Sequence, residues 1–403
     1  MPESLLSNRS LAAFSSTFPA APTTLARAPG RVELLGNHTD HNEGLVIAAA
    51  IDRESVVVGR ASADPDALAQ VFSVNLDQLD TFHPAHPDRL NSGEWSRYVR
   101  GVVWALGEAF GPSARGFEAA LTGNVPLGAG LSSSASLQAA FALFLLEIGQ
   151  VPGRSAQLDD DSRMALAKTL RRSENEFVGV ASGLLDQFSS LFGRAGHALM
   201  LDCRTLEYER VSLGNPAPAI VVCDSMTSRR LADGMYNRRR AECESIVSFY
   251  RERKPSGTVN ALRDVTLEEL QSDWLTLDPV GRRRARHVLT ENERVRRGAE
   301  ALRSGDSATF GGLMSGSHAS SRDDFENSSP ALDALIESAE SAPGFLGGKL
   351  SGAGWAGCSV NLVANGEAEA FAEAVRTGYA KRMNMIAEIH VCQAAEGASA
   401  RRL

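Results

Sequence analysis

A mixed α and β fold spread over two domains is what this sequence predicts, and three observations carry the prediction. Strand-like apolar runs and helix-spaced amphipathic segments are interspersed along the whole chain, the pattern of a mixed class. At 403 residues the chain exceeds what one small hydrophobic core organises. It holds neither an internal repeat nor a low-complexity linker, and residues 149–161 and 193–217 are the candidate boundaries.

Each element has its own signal. Residues 9–18 place Leu11, Phe14 and Phe18 in a short amphipathic pattern stopped by Pro19. Residues 31–35 and 45–51 read as strands split by a polar loop, and "ESVVVGRA" (54–61) as another strand. Val99, Val102, Val103 and Leu106 recur at helical spacing within 97–110. A strand over 116–121, a Gly/Pro loop and a long apolar helix over 133–146 follow. Residues 161–179 are amphipathic and helical, with a further helix starting near residue 183. "AIVVCDS" (219–225) has the character of a buried strand, 229–254 and 281–303 are charged helices, and 357–363 and 387–394 are late strands around the helix "EAEAFAEAVRTGYAKRM".

Composition narrows the class of partner. A net charge of −8 disfavours nonspecific binding to nucleic acid or anionic membrane. The runs "RRR" at 238–240 and 282–284 sit among acidic residues in helical segments and read as solvated faces. Cys203, Cys223, Cys243, Cys358 and Cys392 form no CxxC pair, the usage of a reduced compartment. "MPESLLSNRS" lacks the basic region and apolar run of a signal peptide, and the greasiest stretch, "FALFLLEI", is too short to span a bilayer. The expectation is a soluble cytoplasmic protein.

Chemistry concentrates in three loops and one acidic pair. "GRVELLGNHTDHNEG" (30–44) crowds Asn37, His38, Thr39, Asp40, His41 and Asn42 together, which suits metal ligation, a hydrogen-bonding cradle for a polyhydroxylated ligand, or a solvated loop. "NVPLGAGLSSSASL" (124–137) sets Gly128 and Gly130 before Leu131, Ser132, Ser133 and Ser134 at the expected start of an apolar helix. Glycine lets a ligand approach backbone amides closely, and a helix N-terminus binds phosphate; a serine there equally caps the helix or ligates Mg²⁺. The P-loop pattern G-x-x-x-x-G-K-[ST] is absent. Glu174 and Asp186, in "SENEFVGVASGLLDQFSS", are placed to hold Mg²⁺ or to orient and deprotonate a hydroxyl, or are an ordinary surface Glu and a helix-dipole Asp. "GGKLSGAGWAGCSVNL" (347–362) is a glycine-rich loop able to touch a ligand, or a tight structural hairpin.

Taken in order, "APGRVELLGNHTDHNEG", "VPLGAGLSSSASL" and "KLSGAGWAGCSV" resemble the three motifs of the GHMP kinases, and specifically the galactokinases. "GLLDQFSSLFG" with "HALMLDCRTLE", "MYNRRRAECE", "RRARHVLTENERV" and "SHASSRDDFENSSPALDALIESA" resemble further galactokinase segments, from about residue 10 to 395. The resemblance implies an N-terminal ribosomal-protein-S5-like domain over 1–205 and a C-terminal ferredoxin-like domain over 206–403, with ATP and sugar meeting between them. It implies that Asp186 is the catalytic aspartate with Arg31 beside it. Glu174 and Ser134 correspond to Mg²⁺ ligands, and His38, Asp40, Gly183 and Tyr236 to sugar contacts. Gly128, Gly130 and residues 131–134 correspond to the nucleotide phosphate loop. A monomer with a small sugar and ATP as its only partners is the expectation.

Three departures bear on the sugar. Galactokinases typically have Glu where this chain has Asn37, and that carboxylate accepts a hydrogen bond from the 6-hydroxyl; Asn37 is able to bond there without charge. His41 stands in place of a Tyr, and "CDSMTSRRL" has Met226, Ser228 and Arg229 where an Asn and an Arg/His pair are common. Galactose is the expected acceptor, with a galacturonate-type kinase as the alternative and a non-catalytic sugar sensor behind it.

Overall fold

The computed structural model describes residues 5–64, 66–89, 92–111, 115–180, 182–227, 234–255 and 257–403; Ser228 and Arg229 lie outside them. Helix α1 (Leu5–Thr17) leads into β1 (Thr24–Leu35), and the polar loop turns back into the long β2 (Leu45–Ala61). Next come β3 (Ala69–Ser73), β4 (Gln78–Phe82), α2 (Glu94–Phe110), β5 (Phe117–Gly123), α3 (Ser133–Glu147), α4 (Asp160–Arg172) and α5 (Leu185–Phe192). Strands β6 (His197–Asp202), β7 (Tyr208–Ser212) and β8 (Ala219–Asp224) precede the helices α6 (Met235–Arg253), α7 (Leu267–Ser272), α8 (Pro279–Arg303), α9 (Ser307–Ser320) and α10 (Pro330–Glu340). The chain closes with β9 (Phe345–Leu350), β10 (Cys358–Val363), α11 (Ala368–Met383), β11 (Glu388–Cys392) and β12 (Ser399–Arg402).

These strands make two sheets among the described residues. The first runs β12-β1-β2-β5-β3-β4, with β6 and β7 joined along the near half of β2. Residues 45–51 and 54–61, read from sequence as two strands, are one: the N-terminal part of β2 pairs β6 and its C-terminal part pairs β5. All pairings are antiparallel except β3 with β5. The second sheet, β11-β8-β10-β9, is antiparallel throughout. Near its end the chain leaves the second sheet, and β12 pairs β1 in the first.

Helix α3 has no polar stripe, since Ala139, Phe141, Leu143, Phe144 and Leu145 point all round it and all are buried. A helix apolar on every side belongs in a core, and α3 packs against the first sheet with α2, α4 and α5 around it. The two sheets share a further core in which Val32, Leu34 and Ile47 meet Ile220, Val222, Val360 and Leu362. Each such side chain contributes roughly 1.5–3 kcal/mol on burial. Helix α9 lies directly on β9: a Cβ at Gly347 would sit 1.9 Å from the Gly311 carbonyl oxygen, so alanine there forces helix and strand apart. Gly347 and Gly348 thus belong to a strand, while Gly352, Gly354 and Gly357, all at positive φ, form the connection of a β9–β10 hairpin.

The arginine runs are not simply solvated faces. Arg239 and Arg284, the middle residue of one run and the last of the other, are 4% and 2% exposed. Arg284 bonds Glu242 at 2.8 Å, Glu326 at 2.6 Å and the Asp324 carbonyl at 2.5 Å, and Arg239 bonds the Phe325 carbonyl at 2.7 Å. Their planar forks tie α6 and α8 to the turn at 324–326, a geometry that lysine does not reproduce.

Candidate active site

Residues two apart on a strand face the same way, and Arg31 and Glu33 of β1 both line a cleft of about 410 Å³. The β1–β2 register shifts between Pro29 and Arg31 and again between Glu33 and Leu35. Irregularities of this kind re-aim side chains, and here they bracket the two residues that reach the cleft. Val32 and Leu34 are fully buried in the core shared with the second sheet.

Past β1, Gly36 turns the chain at φ +103°, where a Cβ would press within 2.7 Å of the Leu45 carbonyl oxygen. One face of α8 then holds the loop. Glu291 accepts from the Gly36 and Asn37 amides (2.8 and 3.1 Å) and from Ser317 (2.6 Å). His287 Nε2 lies 2.9 Å from the Asn37 carbonyl oxygen, and Asn292 Oδ1 accepts from the Leu45 amide at 2.8 Å. Burial works against the Glu291 charge, but Arg294, His287 and Lys349 outweigh it and bring the carboxyl down to about 2.

The polar side chains of this loop are held by the protein itself. Asn37 is 1% exposed. Its amide nitrogen donates to Glu33 Oε1 (3.2 Å) and the Gly352 carbonyl (2.8 Å), and its oxygen accepts from Ser321 (3.3 Å) and Asn327 (2.9 Å). Asn42 donates to His41 Nδ1 at 3.1 Å, so His41 carries its proton on Nε2, 3.4 Å from His38 Nδ1. His38 in turn donates from Nε2 to the Ala353 carbonyl at 3.0 Å. Burial drives both imidazoles down, His41 to about 4 and His38 well below its ordinary 6.5 with His41 adding to the effect, so both are neutral at pH 7. With every ring nitrogen in this chain of bonds, the pair is poorly suited to ligate a metal. No cluster of His, Cys, Asp or Glu arranged for a metal occurs among the described residues. The glycine-rich hairpin connection meets the loop through its carbonyls, and the Phe325 ring packs against His38 at 4.4 Å, tilted by 30°.

Gly128 and Gly130 sit at φ +75° and +77°, and Ser132 takes the same left-handed region at φ 58° as the residue before α3. The first bond of α3 runs from the Ser136 amide to the Ser132 carbonyl at 3.0 Å. The amides ahead of it have no partner within the helix and point along its positive end, the arrangement that binds anions. Ser132 Oγ is buried without a hydrogen-bond partner. Gly30 keeps this loop against β1: a Cβ there would lie 2.7 Å from the Leu131 carbonyl oxygen, which accepts from the Arg31 amide at 3.1 Å.

Two carboxylates face this glycine- and serine-rich loop across the cleft. Asp186 lies in the first turn of α5, and Arg31 donates to its Oδ1 from Nε (3.0 Å) and Nη2 (2.6 Å) while Nη1 donates to the Gly130 carbonyl at 2.6 Å. One guanidinium thus joins Asp186 to the loop. Helix α4 runs on into a wider π-helical turn, Ser173–Val178, that carries Glu174 inward; such turns recur at functional sites. Glu174 accepts from Ser134 (3.0 Å), Ser182 (2.8 Å) and Gln187 (2.6 Å). Burial raises its carboxyl above the ordinary 4.5, and the Asp186 charge raises it further. Desolvation likewise raises Asp40, whose Oδ2 would lie 2.3 Å from a Cβ at Gly183. Burial raises the Tyr236 hydroxyl above its ordinary value, with Asp40 adding to it.

Arg31, Asn37, His38, Asp40, Glu174, Gly183, Asp186 and Tyr236 line this one cleft together with Gly128, Gly130 and residues 131–134, whereas Thr39, His41, Asn42 and Met226 do not. The galactokinase galactose-binding signature matches residues 12–61, the GHMP kinases N terminal domain residues 97–194, and the GHMP kinases C terminal residues 299–381. A galactokinase from Roseiflexus sp. (strain RS-1) is 42% identical over 95% of this chain and 94% of its own length. The chain belongs to the galactokinase family. A Chloroflexus aurantiacus galactokinase is 41% identical over 96% of each chain. Among solved structures, the Lactococcus lactis galactokinase complexed with galactose superposes with a TM-score of 0.89 at 32% identity, covering 98% of this chain and all of that one. A mevalonate kinase at TM-score 0.62 and 18% identity shares the GHMP fold.

Polar side chains of this galactokinase-family cleft also escaped the sequence reading: Glu33, Tyr98 and Ser182 line it, and Gln187 braces Glu174 from behind. Glu33 had a usable signal, since it stands two residues after Arg31 on one strand. Tyr98 had none, being one of several polar positions on an amphipathic helix. Ser182 and Gln187 are near neighbours of Asp186 in sequence, but only the π turn brings Glu174 to meet them.

Proposed function

We propose that this chain transfers the γ-phosphoryl group of ATP to the C1 hydroxyl of galactose. The observation that carries the reading is the Arg31 clamp, which sets Asp186 at the mouth of an anion-binding helix N-terminus. Arg31 takes Oδ1 twice, and Oδ2 is outside the clamp, able to accept the proton of the attacking hydroxyl or align it. Amides at the start of α3 stabilise charge on the transferred group as the transition state loosens.

Glu174 and Ser134 fit a Mg²⁺ site, being hard oxygen donors in contact with each other beside the phosphate loop. Glu174 has no ion pair with Lys or Arg among the described residues, so its buried charge is met by neutral donors alone. Bound there with ATP, Mg²⁺ would neutralise phosphate charge.

Asp40, Gly183 and Tyr236 form the sugar cradle in this reading, and His38, its ring nitrogens already bonded to His41 and Ala353, supplies a wall of it and bonds a hydroxyl only by giving up one of these partners. The environment of Asn37 favours a neutral sugar over a uronate: Glu33 lies against it, and the nearby Lys349 ammonium is already paired to Glu33 at 2.7 Å. A C6 carboxylate placed there would meet like charge. We also propose that the protein works as a cytoplasmic monomer; its five cysteines are all free thiols, and no helix among the described residues is long and apolar enough to cross a membrane.

The deciding experiment measures ATP consumption with galactose and galacturonate side by side and identifies the product by phosphorus NMR. Galactose 1-phosphate is the expected product. Thermal stabilisation by galactose without turnover would point to a sensor, and turnover of galacturonate alone would overturn the choice of sugar.

A further inference from the structure

We infer that Glu33, and not Asn37, is the side chain that reads the hydroxymethyl end of the sugar, with Asn37 acting as the residue that positions it. The inference rests on the galactose-kinase reading above.

An amide side chain offers two N–H donors and an oxygen with two lone pairs. Asn37 spends all of them inside the protein: donors on Glu33 and Gly352, oxygen on Ser321 and Asn327. The orientation is fixed by its surroundings, because both atoms near Nδ2 are acceptors and both groups near Oδ1 are donors. A hydroxyl arriving at Asn37 finds no free group unless one of these bonds breaks. In galactokinases the residue at this place is typically a carboxylate that accepts the 6-hydroxyl, so this chain must recruit that acceptor elsewhere or leave the hydroxyl unread.

Glu33 meets the need. It lines the same cleft, and Asn37 itself holds it. Both of its hydrogen bonds, from Asn37 Nδ2 at 3.2 Å and from Lys349 Nζ at 2.7 Å, go to Oε1. Oε2 takes part in neither. A carboxylate pinned by one oxygen is pre-organised to present the other, and an acceptor that carries charge binds a hydroxyl about twice as strongly as a neutral one. The fully buried Lys349 pairs with Glu33 at the cleft wall, so the carboxylate has a partner there without a bound ligand.

The test compares kcat/KM for galactose and for its 6-deoxy analogue, a ratio that a merely structural ion pair does not set. Wild type should prefer galactose by about tenfold or more, the worth of one hydrogen bond to a charged group. Glu33→Gln should bring the preference to within about threefold, chiefly through KM for galactose. Because Glu33→Gln leaves a buried ammonium unpaired, Glu33→Gln/Lys349→Met removes both charges together and should show the same loss. A preference unchanged in either folded variant overturns the inference, as does a wild type indifferent between the two sugars. Failure of wild type to phosphorylate galactose at all instead overturns the reading beneath it.

Discussion

Arg31 grips Asp186 by a single oxygen, with Nε at 3.0 Å and Nη2 at 2.6 Å from Oδ1, and its remaining nitrogen reaches the Gly130 carbonyl at 2.6 Å. One side chain therefore ties Asp186 to the Gly130 loop. Asp186→Asn keeps an acceptor for Arg31 but removes the charge that takes or aligns the proton. Turnover should fall by about 10³-fold with circular dichroism and thermal unfolding close to wild type. A variant turning over galactose at near-normal rate excludes the role.

Arg31→Lys tests the other half of that relationship. An ammonium is a point charge and does not fork between a carboxylate oxygen and a backbone carbonyl set apart from it. The expected result is a loss in kcat together with a higher KM for ATP, because the loop loses its anchor while Asp186 loses its alignment. Steady-state kinetics in both substrates checks this; a change in sugar KM alone would show that Gly130 does not depend on Arg31.

Glu174 gives a pH signature. Its folded carboxyl titrates above the ordinary 4.5, so between the two values the folded state binds more protons than the unfolded one. Stability must then fall as pH rises through that window, which opens near 4.5 and extends upward. Glu174→Gln removes the titration, and the Gln187 amide, whose Oε1 is buried without a partner, is free to flip and receive the new N–H. In the absence of nucleotide and Mg²⁺ the variant should gain melting temperature over wild type as pH rises from 4.5 to 7, while losing most of its activity. A constant difference across that range contradicts the burial account.

Much of this was legible from sequence because the chemistry sits in loops whose composition is extreme. Gly128, Gly130 and three serines before an apolar helix mark either an anion site or a capped helix whatever the fold, and the run from Asn37 to Asn42 marks a polar loop that the sequence leaves open between metal, sugar and solvent. The supporting layer was not legible. His287, Glu291 and Asn292 share one face of α8, but on a charged helix their spacing does not differ from that of any solvated face until the loop is seen lying on it. Arg239 and Arg284 read as solvated for the same reason, since a charge run carries no mark of the carboxylates and carbonyls that will meet it. The strands at 45–51 and 54–61 read as two because Asp52 and Arg53 interrupt the apolar run, while the backbone continues extended through them as β2.

Gly183 tests close packing in the proposed sugar cradle. A Cβ at this position would stand 2.3 Å from Asp40 Oδ2, so alanine must displace the carboxylate. The obstruction is the end of a side chain and not backbone, so the fold should tolerate it, with melting temperature changed little. Misplacing a positioning group by a fraction of an ångström to an ångström costs on the order of tenfold to 10² in rate or affinity. Gly183→Ala should therefore raise KM for galactose by at least about tenfold and leave KM for ATP near wild type. Equal effects on the two substrates would mean that Asp40 does not face the sugar.

Glu291 shows how the wall of the cradle is held in register from α8. Its carboxyl is brought from 4.5 down to about 2, mainly by Arg294 against the opposing pull of burial, and it accepts the Gly36 and Asn37 amides and the Ser317 hydroxyl. A folded value below the unfolded one contributes stability that is complete above pH 4.5 and lost as pH falls toward 2. A downward shift of this size is worth roughly 3 kcal/mol. Glu291→Gln loses that contribution and one acceptor, so urea unfolding at pH 7 should show a destabilisation of about that magnitude, shrinking as pH drops below 4. At permissive temperature the folded fraction should also bind galactose more weakly, because the amides that fix Asn37 and His38 lose their charged anchor. Destabilisation without any change in sugar affinity would place Glu291 in the core alone and detach α8 from the cradle.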